Sequence, residues 1–159
     1  MPQKYVKKIL DARIYDLAVE TPVDAAPLLS QRLNNEILLK REDLQPVFSF
    51  KLRGAYNKLR QLSKAQLEAG VIAASAGNHA QGLALAAQKM GVKATIVMPI
   101  TTPKIKVDAV RGWGANVVLF GDNYDASAGH ANELIEQHGM TYIHPFDDPD
   151  IIAGQGTVG

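Results

Sequence analysis

From Ser63 onward the chain repeats one phrase four times: a helix-length stretch, a turn that usually holds glycine, then a short apolar run of strand length. Ser63 and Gln66 have the spacing of a capping box, Gly70 stops that helix, and VIAASA at 71–76 follows as a strand. A helix over 78–90 ends at Gly91 before KATIVMP, and one over 103–111, opened by Thr102-Pro103, precedes NVVLF. A fourth, over 124–138, ends at Gly139 before TYIHP. Strands this short and apolar, alternating with helices, are satisfied by a parallel sheet covered on both faces and joined by right-handed crossovers. The fold class is therefore α/β with three layers, and ligands are expected beyond the carboxyl ends of its strands.

The head of the chain is less regular. Val6, Ile9, Leu10 and Ile14 suggest an amphipathic helix over 4–16, Leu28–Leu33 a second helix, and Glu36–Lys40 a strand. After the polar REDLQP and a turn near Pro46, Ser49 is placed to cap a helix running to about Leu62. That helix carries Leu52, Ala55, Tyr56 and Leu59 on one stripe and Lys51 in its first turn.

Composition narrows the chemistry. Seventeen Lys and Arg against sixteen Asp and Glu leave a net charge of +1, too balanced for a surface that neutralises many phosphates, so nucleic acid is not expected as a partner. No run approaches the roughly 18 apolar residues of a membrane span. Charges scattered through MPQKYVKKILDARIYD do not read as a signal peptide, so the expected location is cytoplasmic. With no cysteine there is no disulfide, thiolate metal site or thiol nucleophile. The four histidines, at 79, 130, 138 and 144, form no metal-binding motif, and His130 and His138 read as helix surface. Gly154–Gly159, GQGTVG, fits the dinucleotide pattern literally but lacks a preceding strand and a following βαβ unit.

Two features carry chemistry. SAGNHAQG, Ser75–Gly82, lies where a strand ends and a helix begins, so small residues, helix-start amides, the Ser75 hydroxyl and the Asn78 amide offer an anion a cradle. By spacing alone it serves equally as a tight turn in a flavodoxin-like domain. Lys51, flanked by Phe48, Phe50 and Leu52, sits in an apolar setting that would ease loss of its proton and make it a carbonyl nucleophile. By local sequence alone it also reads as a solvated lysine on an amphipathic helix.

Both features in one chain, 24 residues apart, together with KREDLQPVFSFKLRGAYNKL at 40–59 and the later IVMP, KVDAVRGWGA and AGQGT segments, carry a family likeness. The sequence resembles the fold-type II, tryptophan synthase β-like enzymes that use pyridoxal 5′-phosphate, and within them the biosynthetic threonine deaminases. The resemblance implies that Lys51 is the Schiff-base lysine, that Phe50 packs on the pyridine ring and that Asn78 bonds the ring's 3-hydroxyl oxygen. Ser75, Ala76, Gly77 and His79 would frame the substrate carboxylate. The implied reaction turns L-threonine into 2-oxobutyrate and ammonia for isoleucine synthesis, with L-serine as a secondary substrate. Serine racemase or serine dehydratase, and a truncated non-catalytic α/β module, are the alternatives.

Residues 1–54 would begin a larger, cofactor-binding lobe that is incomplete here. Residues 55–148 would form the smaller lobe with the Asn loop, and 149–159 would start the return. A glycine-rich phosphate loop, a hydroxyl partner for the pyridine nitrogen and a regulatory domain would lie beyond Gly159, making this chain an N-terminal piece of an enzyme that works as a homo-oligomer.

Overall fold

The computed structural model describes residues 2–159, with side chains from Lys4 onward. Helix α1 (Pro2–Leu10) leads into an antiparallel hairpin of β1 (Val23–Ala25) and β2 (Leu38–Lys40), whose connection carries α2 (Pro27–Leu33). Helix α1 is shorter than its apolar spacing suggests. Leu10 is 79% exposed, and a continued helix would hold Ile14 on that same face; instead the chain turns and buries Ile14 completely with Val47 and Leu52.

Helix α3 (Lys51–Gln61) follows a 3-10 turn at Glu42–Leu44. Its buried stripe is the expected one, Leu52, Ala55, Tyr56 and Leu59. Its start differs. Phe50, in helical conformation, takes the N-cap position with no side-chain cap, and the Ser49 hydroxyl accepts only a long 3.4 Å bond from the Lys51 amide. Ser49 is itself buried, so its side chain is held by packing rather than by the capping role its type suggests.

The regular part is α4 (Lys64–Ala69), β3 (Val71–Ala74), α5 (Asn78–Met90), β4 (Ala94–Met98), α6 (Lys104–Gly112), β5 (Asn116–Leu119), α7 (Tyr124–His138), β6 (Thr141–Tyr142) and α8 (Pro149–Gly156). The capping box of Ser63 and Gln66 is present, and α5 and α7 end at Gly91 and Gly139 in left-handed conformation. Strands β3 to β6 form one parallel sheet in the order β5-β4-β3-β6, with Ala73 opposite Ile96 and Val97 opposite Val118.

Alternate residues of β3 face opposite layers. Val71 and Ala73 enter the cluster built with α3, α5 and α6, while Ile72 and Ala74 pack with Ala131 of α7. The chain leaves β3 toward β4 over one face and returns from β5 to β6 over the other. The sheet order therefore reverses between β3 and β6, and at such a reversal ligands are expected in a crevice beyond the carboxyl ends of the two strands.

Gly154 and Gly156 lie in α8, not in a phosphate-binding turn. A Cβ on Gly154 would fall 2.5 Å from the Arg53 carbonyl, so this glycine serves the close packing of α8 on α3.

Candidate active site

The two features singled out by sequence come together beside that reversal of strand order. β3 ends at Ala74, and Ser75, Ala76 and Gly77 form the half-buried turn into α5. Gly77 at the N-cap offers no side chain, so the amides of the first turn of α5 gain no side-chain acceptor and remain available to an anion. The Ser75 hydroxyl accepts a 3.3 Å bond from the Gly77 amide and thereby shapes the turn. Asn78 is exposed at the first position of the helix.

His79 is buried, 3% exposed, and its Nε2–H donates to the Ile143 carbonyl at 2.9 Å. That bond fixes the tautomer, leaving Nδ1 a buried acceptor with no partner. Burial above all, with Lys51 and His144 nearby, outweighs the bond to Ile143 and lowers its pKa to about 4, so the ring is neutral. The imidazole therefore has no second N–H to give. What His79 can offer an anion is its main-chain amide in the first turn of α5.

Lys51 arrives from the other side. Its backbone lies directly against α5, where a Cβ on Gly82 would stand 2.8 Å from the Leu52 nitrogen and 2.9 Å from the Lys51 carbonyl carbon. Its amine donates to the Pro145 carbonyl at 3.0 Å and sits 5.5 Å from the centre of the Phe50 ring. Desolvation holds the amine below lysine's ordinary value. Phe48 is 77% exposed and does not enclose the lysine, whereas Phe50, 38% exposed, leaves much of its ring open to a ligand. Lys51 and His79 thus grip neighbouring carbonyls of one segment, Ile143–Pro145, which continues from the end of β6.

Two parts of the site escaped the sequence reading. The Pro145 carbonyl is a backbone group, which no residue type announces. The other is a buried support beneath Lys51. Arg53, fully buried, forms a fork with Glu42 at 2.7 and 2.8 Å, while Thr21 also donates to Glu42 at 2.7 Å. Arg53 also donates to the Thr157 hydroxyl at 3.1 Å, and Gln45 exchanges two bonds with the Val19 backbone. REDLQP is therefore not simply a polar turn, since Glu42 and Gln45 point inward. Among the described residues no group of three or more His, Asp or Glu is arranged to hold a metal, and no helix is long and apolar enough to cross a membrane.

A family model described as pyridoxal-phosphate dependent enzyme matches residues 14–159. The chain belongs to that family. It is 58% identical to a biosynthetic chloroplastic threonine dehydratase of Solanum lycopersicum over 98% of its own length and 26% of the relative's. It is equally 58% identical to the biosynthetic L-threonine dehydratase of Burkholderia multivorans, over 97% of this chain and 31% of that one. The chain thus spans about a quarter to a third of the length of these curated relatives.

Among solved structures, the processed form of threonine deaminase isoform 2 from S. lycopersicum superposes with a TM-score of 0.93 at 55% identity, covering 98% of this chain and 46% of that one. Maize serine racemase superposes as well, at 0.92, but at 32% identity, over 96% of this chain and 47% of the other. The three-layer α/β architecture of fold-type II enzymes is therefore the fold of this pyridoxal-phosphate family member, and its sequence stands nearer the threonine dehydratases than the racemase.

Proposed function

We propose that the full-length protein is a pyridoxal 5′-phosphate-dependent threonine ammonia-lyase, converting L-threonine to 2-oxobutyrate and ammonia in the branch that leads to isoleucine, with L-serine as a secondary substrate. It would act in the cytoplasm as a homo-oligomer. The observation that carries this reading is the half-buried Lys51 amine, its affinity for protons reduced by desolvation, meeting an uncapped helix start at the carboxyl ends of β3 and β6. The threonine dehydratases at 58% identity support the choice of substrate.

The residues suit the cofactor's chemistry. An aldehyde requires an amine that gives up its proton readily, and Lys51 is such an amine. An aromatic ring system suits the open face of Phe50, and a phenolic oxygen suits the exposed Asn78 amide at the helix start. When bound, the cofactor supplies an electron sink for the charge left as the substrate loses its Cα proton. Lys51, once free and neutral, takes that proton. Ser75, Ala76, Gly77 and His79 hold the substrate carboxylate, His79 through its main-chain amide. The neutral imidazole meanwhile ties the start of α5 to Ile143. In the full-length chain, residues 1–54 and 149–159 would belong to the larger lobe and 55–148 to the smaller one, and the rest of the cofactor's contacts would come from residues beyond this chain.

Borohydride reduction of the full-length protein with pyridoxal phosphate should leave the cofactor on the Lys51 peptide, and threonine should yield 2-oxobutyrate. Trapping without 2-oxobutyrate, but with D-serine formed from L-serine, would assign the racemase reaction instead. No trapped cofactor at all would leave the non-catalytic module.

A further inference from the structure

We propose that the turn Ile143–Asp147 is a dock for the free Lys51 amine, and that His144 is the positioning residue that builds it. The inference rests on Lys51 being the amine that carries the cofactor. Of the side-chain bonds made by Lys51, the one to the Pro145 carbonyl is the sole hydrogen bond of Nζ among the described residues. A lysine amine on four rotatable bonds stays in one place only where an acceptor holds it. The position of that acceptor is set by the turn around it.

His144 shapes the turn from within. Its Nδ1 accepts two backbone amides, from Phe146 at 3.2 Å and from Asp147 at 2.7 Å. This is the pattern an Asn or Asp side chain makes with the amides two and three residues on. Accepting both bonds requires the Nδ1 lone pair, so the ring carries its proton on Nε2. The ring is further held edge-on between Tyr142, with centroids 6.1 Å apart, and Phe146, 4.7 Å away. Removal of the Nδ1 acceptor would leave two turn amides without their partner, and the Pro145 carbonyl would keep, besides Lys51, only a long 3.5 Å bond from Gln155 Nε2 to resist rotation.

The ends of the turn are fixed independently. The Ile143 amide donates to Ile72 at 2.8 Å, continuing the β3–β6 pairing, and the Ile143 carbonyl receives the His79 Nε2–H. On the far side the Asp148 carboxylate caps α8 through the Asp150 and Ile151 amides and pairs with Lys58 at 2.7 Å. Between these anchors the stretch is held by the two His144 bonds and the long Gln155 contact, and it is the stretch that presents the carbonyl to Lys51. The dock keeps the amine at the mouth of the crevice whenever it is not bonded to the cofactor, so that it meets an incoming aldehyde in one orientation.

The test is the rate of cofactor capture, not turnover. Full-length protein freed of cofactor is mixed with pyridoxal phosphate, quenched with borohydride at intervals, and the labelled Lys51 peptide is quantified by mass spectrometry. His144→Asn puts Oδ1 where Nδ1 stands and should capture within about twofold of the wild type. His144→Ala, and His144→Gln, whose acceptor lies at the Nε2 position, should capture about tenfold more slowly, the factor carried by one hydrogen bond of ordinary net strength. Thermal midpoints of the three variants separate this effect from loss of folding. Capture by the Ala variant at the wild-type rate, or failure of Asn to restore what Gln does not, overturns the dock. Absence of any Lys51 adduct in the wild type overturns the functional reading, and the dock with it.

Discussion

Replacing Gly82 by alanine probes how the position of Lys51 is set, because the added methyl points at backbone and not at a yielding side chain. Its Cβ would lie 2.8 Å from the Leu52 nitrogen, 2.9 Å from the Lys51 carbonyl carbon and 3.1 Å from the Leu52 Cα. Ordinary contact begins near 3.4 Å, so α5 and the start of α3 must separate by about 0.6 Å. Overpacking of this kind costs about 1–3 kcal/mol. Alanine's better helix propensity offsets about 1 kcal/mol of it. A net loss of about 0–2 kcal/mol is left, a fall of no more than roughly 8 °C in thermal midpoint.

The effect on Lys51 should be larger than the effect on stability. Its main chain shifts while the turn that presents the Pro145 carbonyl, which follows the Ile143 anchored to β3 and to His79, does not, and a displacement approaching 1 Å can cost about 100-fold in a reaction that needs alignment. Gly129→Ala is the control, since no atom lies within 4 Å of the Cβ it would introduce on α7, and it should stabilise by up to about 1 kcal/mol. Thermal denaturation and time-resolved borohydride trapping at Lys51 read the two effects separately. A Gly82→Ala variant that raises the midpoint as Gly129→Ala does and leaves trapping unchanged would show that this helix contact does not position Lys51.

Arg53→Ala strands the Glu42 carboxylate in the interior and should cost about 3–5 kcal/mol in urea denaturation, whereas Arg53→Met with Glu42→Leu should recover most of that loss. Burial alone would raise the Glu42 pKa, but the Arg53 and Thr21 bonds outweigh it and hold it below 4.5. The stability from this pair is therefore present above pH 4.5 and lost as pH falls through the folded value, and the double variant should lack that acid sensitivity. His79 titrates at about 4 when folded against 6.5 when free, so its contribution is complete above 6.5 and declines below it. The protein should be about 2 kcal/mol less stable at pH 5 than at pH 7 on this account, and His79→Gln should remove the difference. Ser63→Ala breaks the capping box of α4 and should cost about 1 kcal/mol, with Gln66→Ala adding little once Ser63 is gone.

Sequence legibility follows the range of the forces involved. From Ser63 to Tyr142 the elements are fixed by neighbours: a capping box, glycines at helix ends and β-branched runs, and α5 begins and ends where those signals place it. In the head, long-range burial decides. Ile14 leaves its helical stripe for the Val47–Leu52 cluster, and the three-residue strand Val23–Ala25 is too short for alternation to mark it. Ser49 has the residue type of a cap but not the surroundings, and Glu42 has the type of a surface acid but meets Arg53, eleven positions on, in the interior.

The candidate site divides along the same line. Lys51 and SAGNHAQG are visible because side-chain type and small size carry the chemistry proposed for them. The carbonyl that receives Lys51 is invisible, and His144 is visible only if a histidine at a strand end is asked what it accepts instead of which metal it binds. His79 shows how far residue type can mislead about charge. A histidine beside an anion-ready turn suggests a cation, but this ring is neutral and has spent its only N–H on Ile143. Positive potential at this turn must then come from backbone: the uncapped amides of α5, aligned by the helix and held over the crevice by the bond the imidazole makes behind them. What the imidazole itself does in this structure is fix where those amides point.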